Sequence, residues 1–273
     1  MINYKGKLLA RESLQFQAIN RGLAFGDGLF ETIMVSESTI PLLDLHWNRL
    51  SVGLKTLCIN SPFTKITLLE NIQNLIIAKK ERAGTYRVKL IIWRSGGGKY
   101  SPESNDADFI IEANAIEVSQ TTTIAHCFTS KKVTLYKTLY SHLKTISALQ
   151  YVIASQEKKQ RGVEELLIKN HEGMLAEATA GNIFIYDHDE CCFYTPPLES
   201  ACINGVMRKH ILNGLQNEGK SVTERAIAPD EVIGNVSLFL TNVAGIRQVL
   251  NFENRQLIHS PDLFSYLCAL SQR

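Results

Sequence analysis

The segment Met174-Leu-Ala-Glu177-Ala-Thr-Ala-Gly-Asn182-Ile-Phe-Ile-Tyr186 places a single acidic residue among small residues, directly before an apolar run. The run Asn182–Tyr186 predicts a strand. A charge on a solvated face normally has polar neighbours, so Glu177 is interpreted as a buried carboxylate that needs a cationic partner. The alternative is a turn residue that caps the strand.

A lysine lies 33 residues before this acid, in Tyr140-Ser-His-Leu-Lys144-Thr-Ile-Ser147. Here an extended stretch turns into an amphipathic helix predicted over 145–162. The neighbours Leu143 and Ile146 partly desolvate the amine of Lys144, which favours the neutral form that attacks carbonyl groups. The alternative is a lysine at a helix end whose ammonium group reaches solvent.

Two further segments could bind an anion. In Asn204-Gly205-Val206-Met207-Arg208, a glycine precedes a helix predicted over 206–215, so the first N–H groups and the positive end of the helix dipole are exposed. In His46-Trp47-Asn48-Arg49-Leu50, Arg49 lies on a helix predicted over 43–59 and could clamp a phosphate. Ordinary helix starts and surface arginines give the same patterns.

Composition indicates a globular protein of two domains. The 273 residues are 45% hydrophobic, and 29 Lys and Arg nearly balance 27 Asp and Glu, so nothing favours nucleic acid or an anionic membrane as a partner. No apolar run approaches the ~18 residues of a membrane span, and Met1–Lys7 lacks the apolar region expected of a signal peptide. We therefore expect a soluble, cytoplasmic protein with reduced cysteines and no metal site.

The order of predicted elements suggests where the domains divide. Strands are predicted at 28–36, 86–93 and 108–112, helices at 43–59 and 66–80, and a hairpin at 2–9. The polar stretch Glu117–Thr123 then interrupts the pattern. We predict an N-terminal domain over 1–116, a linker over 117–123 and a C-terminal domain over 124–273.

In combination, the order of arginine, lysine, acid and glycine helix start resembles the class IV (fold type IV) pyridoxal-phosphate enzymes. This family includes branched-chain and D-amino-acid aminotransferases and 4-amino-4-deoxychorismate lyase. Further matches are Arg21-Gly-Leu-Ala-Phe-Gly-Asp27-Gly-Leu-Phe30-Glu31-Thr32, Tyr194-Thr-Pro-Pro197 and Leu240-Thr-Asn242-Val-Ala244. The resemblance implies a mixed α/β fold with an N-terminal α/β sandwich and a C-terminal barrel-like domain. It also implies pyridoxal 5'-phosphate in the cleft between the domains, and a homodimer.

The resemblance also implies roles for individual residues. Lys144 is similar to the Schiff-base lysine that afterwards carries a proton, and Glu177 to the acid that pairs with the protonated pyridine nitrogen. Arg49 resembles the phosphate arginine. The backbone N–H groups of Val206 and Met207, with Asn242 or Val243, resemble the rest of the phosphate site. The chain departs from the family at Ser147, where Asn is frequent, and at Asn242, where Thr is frequent.

The reaction type depends on weaker similarities. The loop Arg94-Ser-Gly-Gly-Gly-Lys99-Tyr-Ser101 and the segment Asn204–Arg208 resemble the lyases, whereas Phe30-Glu31-Thr32 keeps an acidic position seen in aminotransferases. We favour 4-amino-4-deoxychorismate lyase, which releases pyruvate and 4-aminobenzoate, a folate precursor. The alternative is an aminotransferase of branched-chain or D-amino acids. Phe30, Arg94 and Lys99 are the candidate substrate contacts.

Three other motifs match unrelated chemistry poorly. Ser141 and Lys144 fit the S-x-x-K acyl-enzyme pattern, but S-D-N and K-T-G do not follow. Gly97-Gly98-Lys99 lacks the first glycine and the hydroxyl residue of a P-loop. Asp187–Glu190 with the adjacent Cys191-Cys192 is interpreted as a polar turn rather than a metal cluster.

Overall fold

The computed structural model describes residues 1–15, 20–36, 39–79, 84–117 and 123–273. The chain divides into two compact units: Met1–Val118 with Leu143–Ser147, and Ser119–His142 with Ala148–Arg273. Most of the predicted linker over 117–123 lies outside the described residues. The sequence assigns all of 124–273 to one domain, but the structure assigns Leu143–Ser147, which contains Lys144, to the first unit.

The first unit is an antiparallel five-stranded sheet with helices. Its elements are β1 (Ile2–Tyr4), β2 (Lys7–Leu9), α1 (Arg21–Phe25), β3 (Gly28–Ser36), α2 (Leu43–Thr56), α3 (Lys65–Lys79), β4 (Thr85–Arg94) and β5 (Ala107–Ile116). The strand order is β2-β1-β5-β4-β3. The predicted hairpin and strand 28–36 are confirmed, and the predicted helices are confirmed to within three residues, apart from Lys80, which lies outside the described residues.

Side chains of β3 alternate between the two faces of this sheet. Leu29, Ile33 and Val35 are buried in a core that also contains α2 and α3 residues, and Glu31 points to the same side. Phe30 and the next alternate residues therefore point to the opposite face. This alternation decides which neighbours each β3 side chain can reach.

The segment Leu143–Ser147 lies beside the start of β3. The N–H of Phe30 donates to the carbonyl of Lys144 over 2.9 Å, and the N–H of Ile146 donates to the carbonyl of Gly28 over 3.1 Å. Leu143 belongs to the core of the first unit. The backbone on both sides of Lys144 is therefore fixed to β3, and its side chain is half-buried.

The second unit contains two sheets and three helices among the described residues. Its elements are β6 (Thr123–Ile124), β7 (Cys127–Leu135), α4 (Leu149–Arg161), β8 (Glu165–Asn170), β9 (Leu175–Ala178), β10 (Asn182–Asp187), β11 (Cys192–Thr195), α5 (Val206–Asn217), β12 (Val222–Glu224), β13 (Val236–Asn242), β14 (Gly245–Val249), β15 (Asn251–Phe252), β16 (Arg255–Gln256) and α6 (Pro261–Ser271). The sheet orders are β12-β11-β10-β13-β14-β6 and β16-β15-β7-β8-β9. One apolar core takes residues from both sheets, among them Leu167 of β8 and Leu238 of β13. The predicted mixed α/β class is confirmed.

One helix differs from its prediction. The helix predicted over 145–162 begins only at Leu149, because residues 143–147 are held beside β3. It ends at Gly162, which has φ +63° and closes the helix in the left-handed region. Within the described residues, no helix of the protein is both long enough and apolar enough to cross a membrane.

Candidate active site

A buried carboxylate on β3 holds Arg49. Glu31 points into the apolar core of the first unit and is only 2% exposed. Arg49 on α2 donates from Nε to Glu31 Oε1 over 2.8 Å and from Nη2 to Oε2 over 2.5 Å. His46, one helical turn earlier on α2, contacts Oε2 through Nδ1 at 2.7 Å. This triad fixes the guanidinium plane of Arg49.

The triad also determines the protonation of Glu31. Burial alone would raise the pKa of this carboxyl, but the charge of Arg49 and the hydrogen bonds from His46 and Arg49 outweigh burial. Together they lower the pKa from its ordinary value of 4.5 to about 2. Glu31 is therefore ionised at neutral pH and provides the counter-charge of Arg49.

Lys144 lies against an aromatic ring of β3. Its Nζ is 4.4 Å from the centroid of the Phe30 ring, on a backbone that is hydrogen-bonded to β3. Lys144 thus contacts Phe30, whereas Arg49 is held by Glu31, whose side chain points to the other face of β3. Ser147, one of the two departures from the family pattern, packs against Gly26: a Cβ on that glycine would lie 2.9 Å from the Ser147 Cβ.

Glu177 lies in β9, is buried, and accepts hydrogen bonds on both oxygens. The hydroxyl of Tyr151 on α4 donates to Oε1 over 2.5 Å. The backbone N–H of Ile203 donates to Oε2 over 3.1 Å, and the amide of Asn182 approaches the same oxygen at 3.4 Å. These three partners are neutral donors, and hydrogen bonds of this kind stabilise an ionised carboxylate.

Two groups beside Glu177 have raised pKa values. Burial, followed by the charge of Glu177, raises the pKa of the Tyr151 hydroxyl above its usual range, so Tyr151 remains a donor. Burial and then Glu177 raise the pKa of the Cys202 thiol to about 12. Cys202 is therefore a protonated, unreactive thiol at neutral pH.

Asn182 connects Glu177 to the start of α5. Its amide also donates to the carbonyl of Ile203 over 2.8 Å. On its other side Gly205, the residue that caps α5, packs so closely that an added Cβ would lie 1.9 Å from Asn182 Oδ1. Gly205 has no side chain with which to cap the helix, so the first N–H groups of α5, beginning at Val206 and Met207, can bind an anion.

Asn242 is fixed at the turn between β13 and β14. Its amide donates to the carbonyl of Ala180 over 2.9 Å, and its Oδ1 accepts from the N–H of Ala244 over 2.8 Å. Val243 lies in the two-residue turn that follows. Asn242 thus holds the turn between Glu177 and Asn182. Four predicted residues of the second unit lie at this turn or at the start of α5: Glu177, Val206, Met207 and Asn242.

Arg94 is not available for its predicted role as a substrate contact. All five of its N–H groups have acceptors inside the first unit: Asp27 Oδ2 at 3.0 Å and Oδ1 at 3.4 Å, the carbonyls of Cys58 at 2.8 Å and Leu57 at 2.6 Å, and Asn105 Oδ1 at 2.5 Å. A buried guanidinium with its donors used in this way has none left for a substrate carboxylate. We therefore do not retain Arg94 as a substrate contact.

The glycine loop that follows Arg94 is an organised structure. Nη1 of Arg21, a buried residue of α1, donates to the carbonyls of Gly97, Gly98 and Lys99 over 3.2, 3.1 and 2.7 Å. Gly98 has φ +89°, a conformation that glycine adopts without strain. The side chain of Lys99 is exposed, so its role in substrate binding stays a prediction.

Sequence reasoning missed three residues of this arrangement. Glu31 and His46 were not assigned to Arg49, although the three-residue spacing of His46 and Arg49 puts both on one face of α2. Tyr151 was not assigned to any role. The sequence feature that could have identified Tyr151 is its position three residues before the buried Ala154, on the inner face of α4.

Comparison with known proteins identifies the family to which this chain belongs. The family model Amino-transferase class IV matches residues 28–252. The chain is 22% identical over 245 residues to the D-alanine aminotransferase of Bacillus licheniformis, covering 88% of this chain and 83% of that protein. It is 28% identical over 215 residues to the aminodeoxychorismate lyase of Vibrio harveyi, covering 74% of each.

Solved structures agree on the fold. The structure of 4-amino-4-deoxychorismate lyase from Pseudomonas aeruginosa superposes with a TM-score of 0.82 at 24% identity, over 98% of this chain and 96% of that one. Branched-chain aminotransferases of the same fold have been solved with pyridoxamine 5'-phosphate and with N-(5'-phosphopyridoxyl)-L-glutamate. The resemblance seen in the sequence is confirmed: the chain belongs to the class IV aminotransferase family, whose cofactor is pyridoxal 5'-phosphate.

Proposed function

We propose that this enzyme is a 4-amino-4-deoxychorismate lyase, with Lys144 and Glu177 as its catalytic residues. The alternative is transamination of branched-chain or D-amino acids, since relatives of both kinds match the chain. The observation that carries the proposed chemistry is Glu177, a buried carboxylate held by neutral donors and connected through Asn182 to the start of α5.

The residues present fit pyridoxal phosphate. The second unit offers a carboxylate for the ring nitrogen and, next to it, a helix start that only glycine can occupy and whose N–H groups suit a phosphate. The first unit offers a half-buried lysine and an arginine held by Glu31. We assign the phosphate to Arg49, the N–H groups of Val206 and Met207, and the turn at Asn242 and Val243.

When bound, pyridoxal phosphate withdraws electrons from the carbon that carries the substrate's amino group, so that this carbon can lose a proton. Lys144 would hold the cofactor covalently through Nζ, and the same Nζ would take up that proton. Glu177 keeps a proton on the ring nitrogen, and Tyr151 holds the carboxylate in position. In the lyase reaction the ring carbon gives its proton to Lys144, the ether bond to the enolpyruvyl group breaks, and the ring becomes aromatic. The departing enolate takes up a proton and leaves as pyruvate.

One similarity supports the lyase, and the similarity to aminotransferases at Glu31 does not oppose it. The glycine loop over 94–101, whose pattern resembles the lyases, is held by hydrogen bonds from Arg21. Glu31, the acidic position shared with aminotransferases, faces Arg49 and His46. An acid engaged in this way positions a cofactor arginine, which both reactions need, and so does not favour transamination.

A paired assay tests this proposal. The holoenzyme is given aminodeoxychorismate and scored for pyruvate and 4-aminobenzoate in equal amounts. It is then given branched-chain or D-amino acids with 2-oxoglutarate and scored for glutamate. We expect release of pyruvate with little transamination; turnover of amino acids without pyruvate release would instead establish the alternative.

We further propose that the enzyme is a homodimer. Leu149, Val152 and Ile153 share one face of α4 and are 66, 53 and 40% exposed in the single chain, which favours contact with another protein surface. Light scattering on the active enzyme should give twice the chain mass of 30.6 kDa. An active monomer would contradict this part of the proposal.

A further inference from the structure

One exposed lysine lies on the same sheet face as Phe30. Lys89 on β4 pairs directly with Thr32 of β3, and cross-strand partners point to the same face of a sheet. Its Nζ is 5.4 Å from the centroid of the Phe30 ring, the ring that Lys144 approaches at 4.4 Å. Two ammonium groups from different segments thus converge on one aromatic side chain.

The acidic neighbour of Lys89 is paired with a different cation. Glu112 of β5 lies directly across from Lys89, but Glu112 is paired with Arg11 at 3.1 Å. In the part of the chain that the structure describes, no carboxylate forms an ion pair with Lys89. Lys89 therefore offers a positive charge to an anion that binds beside the Phe30 ring.

We propose that Lys89 binds the carboxylate of the substrate and selects for a ring-bearing amino acid. The substrate class rests on the proposed function. In the proposed lyase substrate, the ring carboxylate is on the opposite side of a six-membered ring from the carbon that carries the amino group. Phe30, which both lysines approach, offers that ring a flat apolar surface. Lys144 acts at the amino end of the substrate, and we assign Lys89 to the carboxylate end.

This assignment supplies a cation where the sequence suggested Arg94. Arg94 is held by internal acceptors, whereas Lys89 is exposed and its ammonium group can move on a flexible stem. Lys89 binds substrate and takes no part in proton transfer. Its loss should therefore change binding more than the chemical step.

The test compares two probes that bind to the holoenzyme: 4-aminobenzoate, and aniline, which lacks the carboxylate. Binding of each probe is measured by the change in the absorption of the cofactor. We expect Lys89→Gln to weaken 4-aminobenzoate binding about tenfold, the effect of losing one charge-assisted hydrogen bond. Aniline binding should stay unchanged. Lys89→Arg should retain most of the affinity for 4-aminobenzoate. Arg87→Gln, which removes an exposed charge two residues away on the same strand face, is the matched control and should behave as wild type.

Three results would overturn the proposal: wild-type affinity in Lys89→Gln, equal weakening of both probes, or the same loss in Arg87→Gln. Wild-type enzyme that binds the two probes equally would also overturn it, because no carboxylate site would then exist. In the kinetic assay, Lys89→Gln should raise KM with kcat largely retained. Wild-type enzyme that fails to release pyruvate contradicts the lyase proposal, whereas the binding experiment tests Lys89 separately.

Discussion

Replacing Glu31 with glutamine should destabilise the first unit strongly and in a pH-dependent way. A buried carboxyl whose pKa falls from 4.5 to about 2 on folding stabilises the folded state by about 3 kcal/mol at pH 7. Because the folded pKa is the lower one, this stabilisation is complete above pH 4.5 and is lost as the pH falls towards 2. Glu31→Gln keeps the shape of the side chain but leaves Arg49 without its counter-charge.

Tryptophan fluorescence reports on the unfolding of the first unit, which contains Glu31. The only two tryptophans of the chain, Trp47 and Trp93, lie in the first unit, so urea unfolding followed by their emission reports on that unit. We expect Glu31→Gln to lower the free energy of unfolding by about 3 kcal/mol at pH 7 and by about half as much at pH 3.

Asp44→Asn is the matched control for this prediction. Asp44 lies in α2, the helix that carries Arg49, and is also paired with a cation, Lys65. Its side chain, however, is 82% exposed. We expect a change below about 0.5 kcal/mol, as for other surface ion pairs. The reasoning would be refuted if Glu31→Gln lost less than about 1 kcal/mol at pH 7, or lost the same amount at both pH values.

Two further substitutions test the second unit. Tyr151→Phe removes a hydrogen bond to a charged group, worth about 1.5–3 kcal/mol, so the melting temperature of the holoenzyme should fall and its cofactor absorption should shift. Tyr140→Phe, at an exposed tyrosine, is the control, and no difference between the two would contradict the role of Tyr151. Gly205→Ala places a Cβ 1.9 Å from Asn182 Oδ1 and should weaken pyridoxal-phosphate binding at least about tenfold in equilibrium dialysis. Gly219→Ala, in open space, should cost stability through its φ of +66° without loss of affinity, and equal affinities in the two variants would count against the helix-start site.

The sequence predicts most regular elements because their apolar spacing matches their burial. Alternation along β3 puts Leu29 and Ile33 in the core, and the 3.6-residue period of α2 buries Leu50 and Leu54. The pattern misleads at α4, where Leu149, Val152 and Ile153 share a face that is exposed in the single chain. Periodicity identifies an apolar face but does not identify the surface that covers it.

Long-range contacts are the part of the site that the sequence does not predict. Motifs identify Lys144, Glu177 and Arg49. The triad, however, depends on how α2 packs against β3. Lys89 likewise reaches Phe30 only through the pairing of β3 with β4. Arg94 shows the same limit in reverse: its acceptors are backbone carbonyls and side chains that only the folded loop brings to it. Such pairings leave no signature in local spacing.

Borohydride reduction of the holoenzyme followed by peptide mass spectrometry tests the central claim most directly. Reduction fixes the cofactor on the lysine that holds it, and trypsin does not cleave after a modified lysine. We predict that the phosphopyridoxyl group appears on the peptide Thr138–Lys158, with Lys144 uncleaved, and that Lys144→Ala abolishes the modification while Lys137→Ala, at an exposed lysine, retains it. A cofactor fixed on Lys137 or on another lysine, or no fixation in a protein saturated with pyridoxal phosphate, would contradict the account.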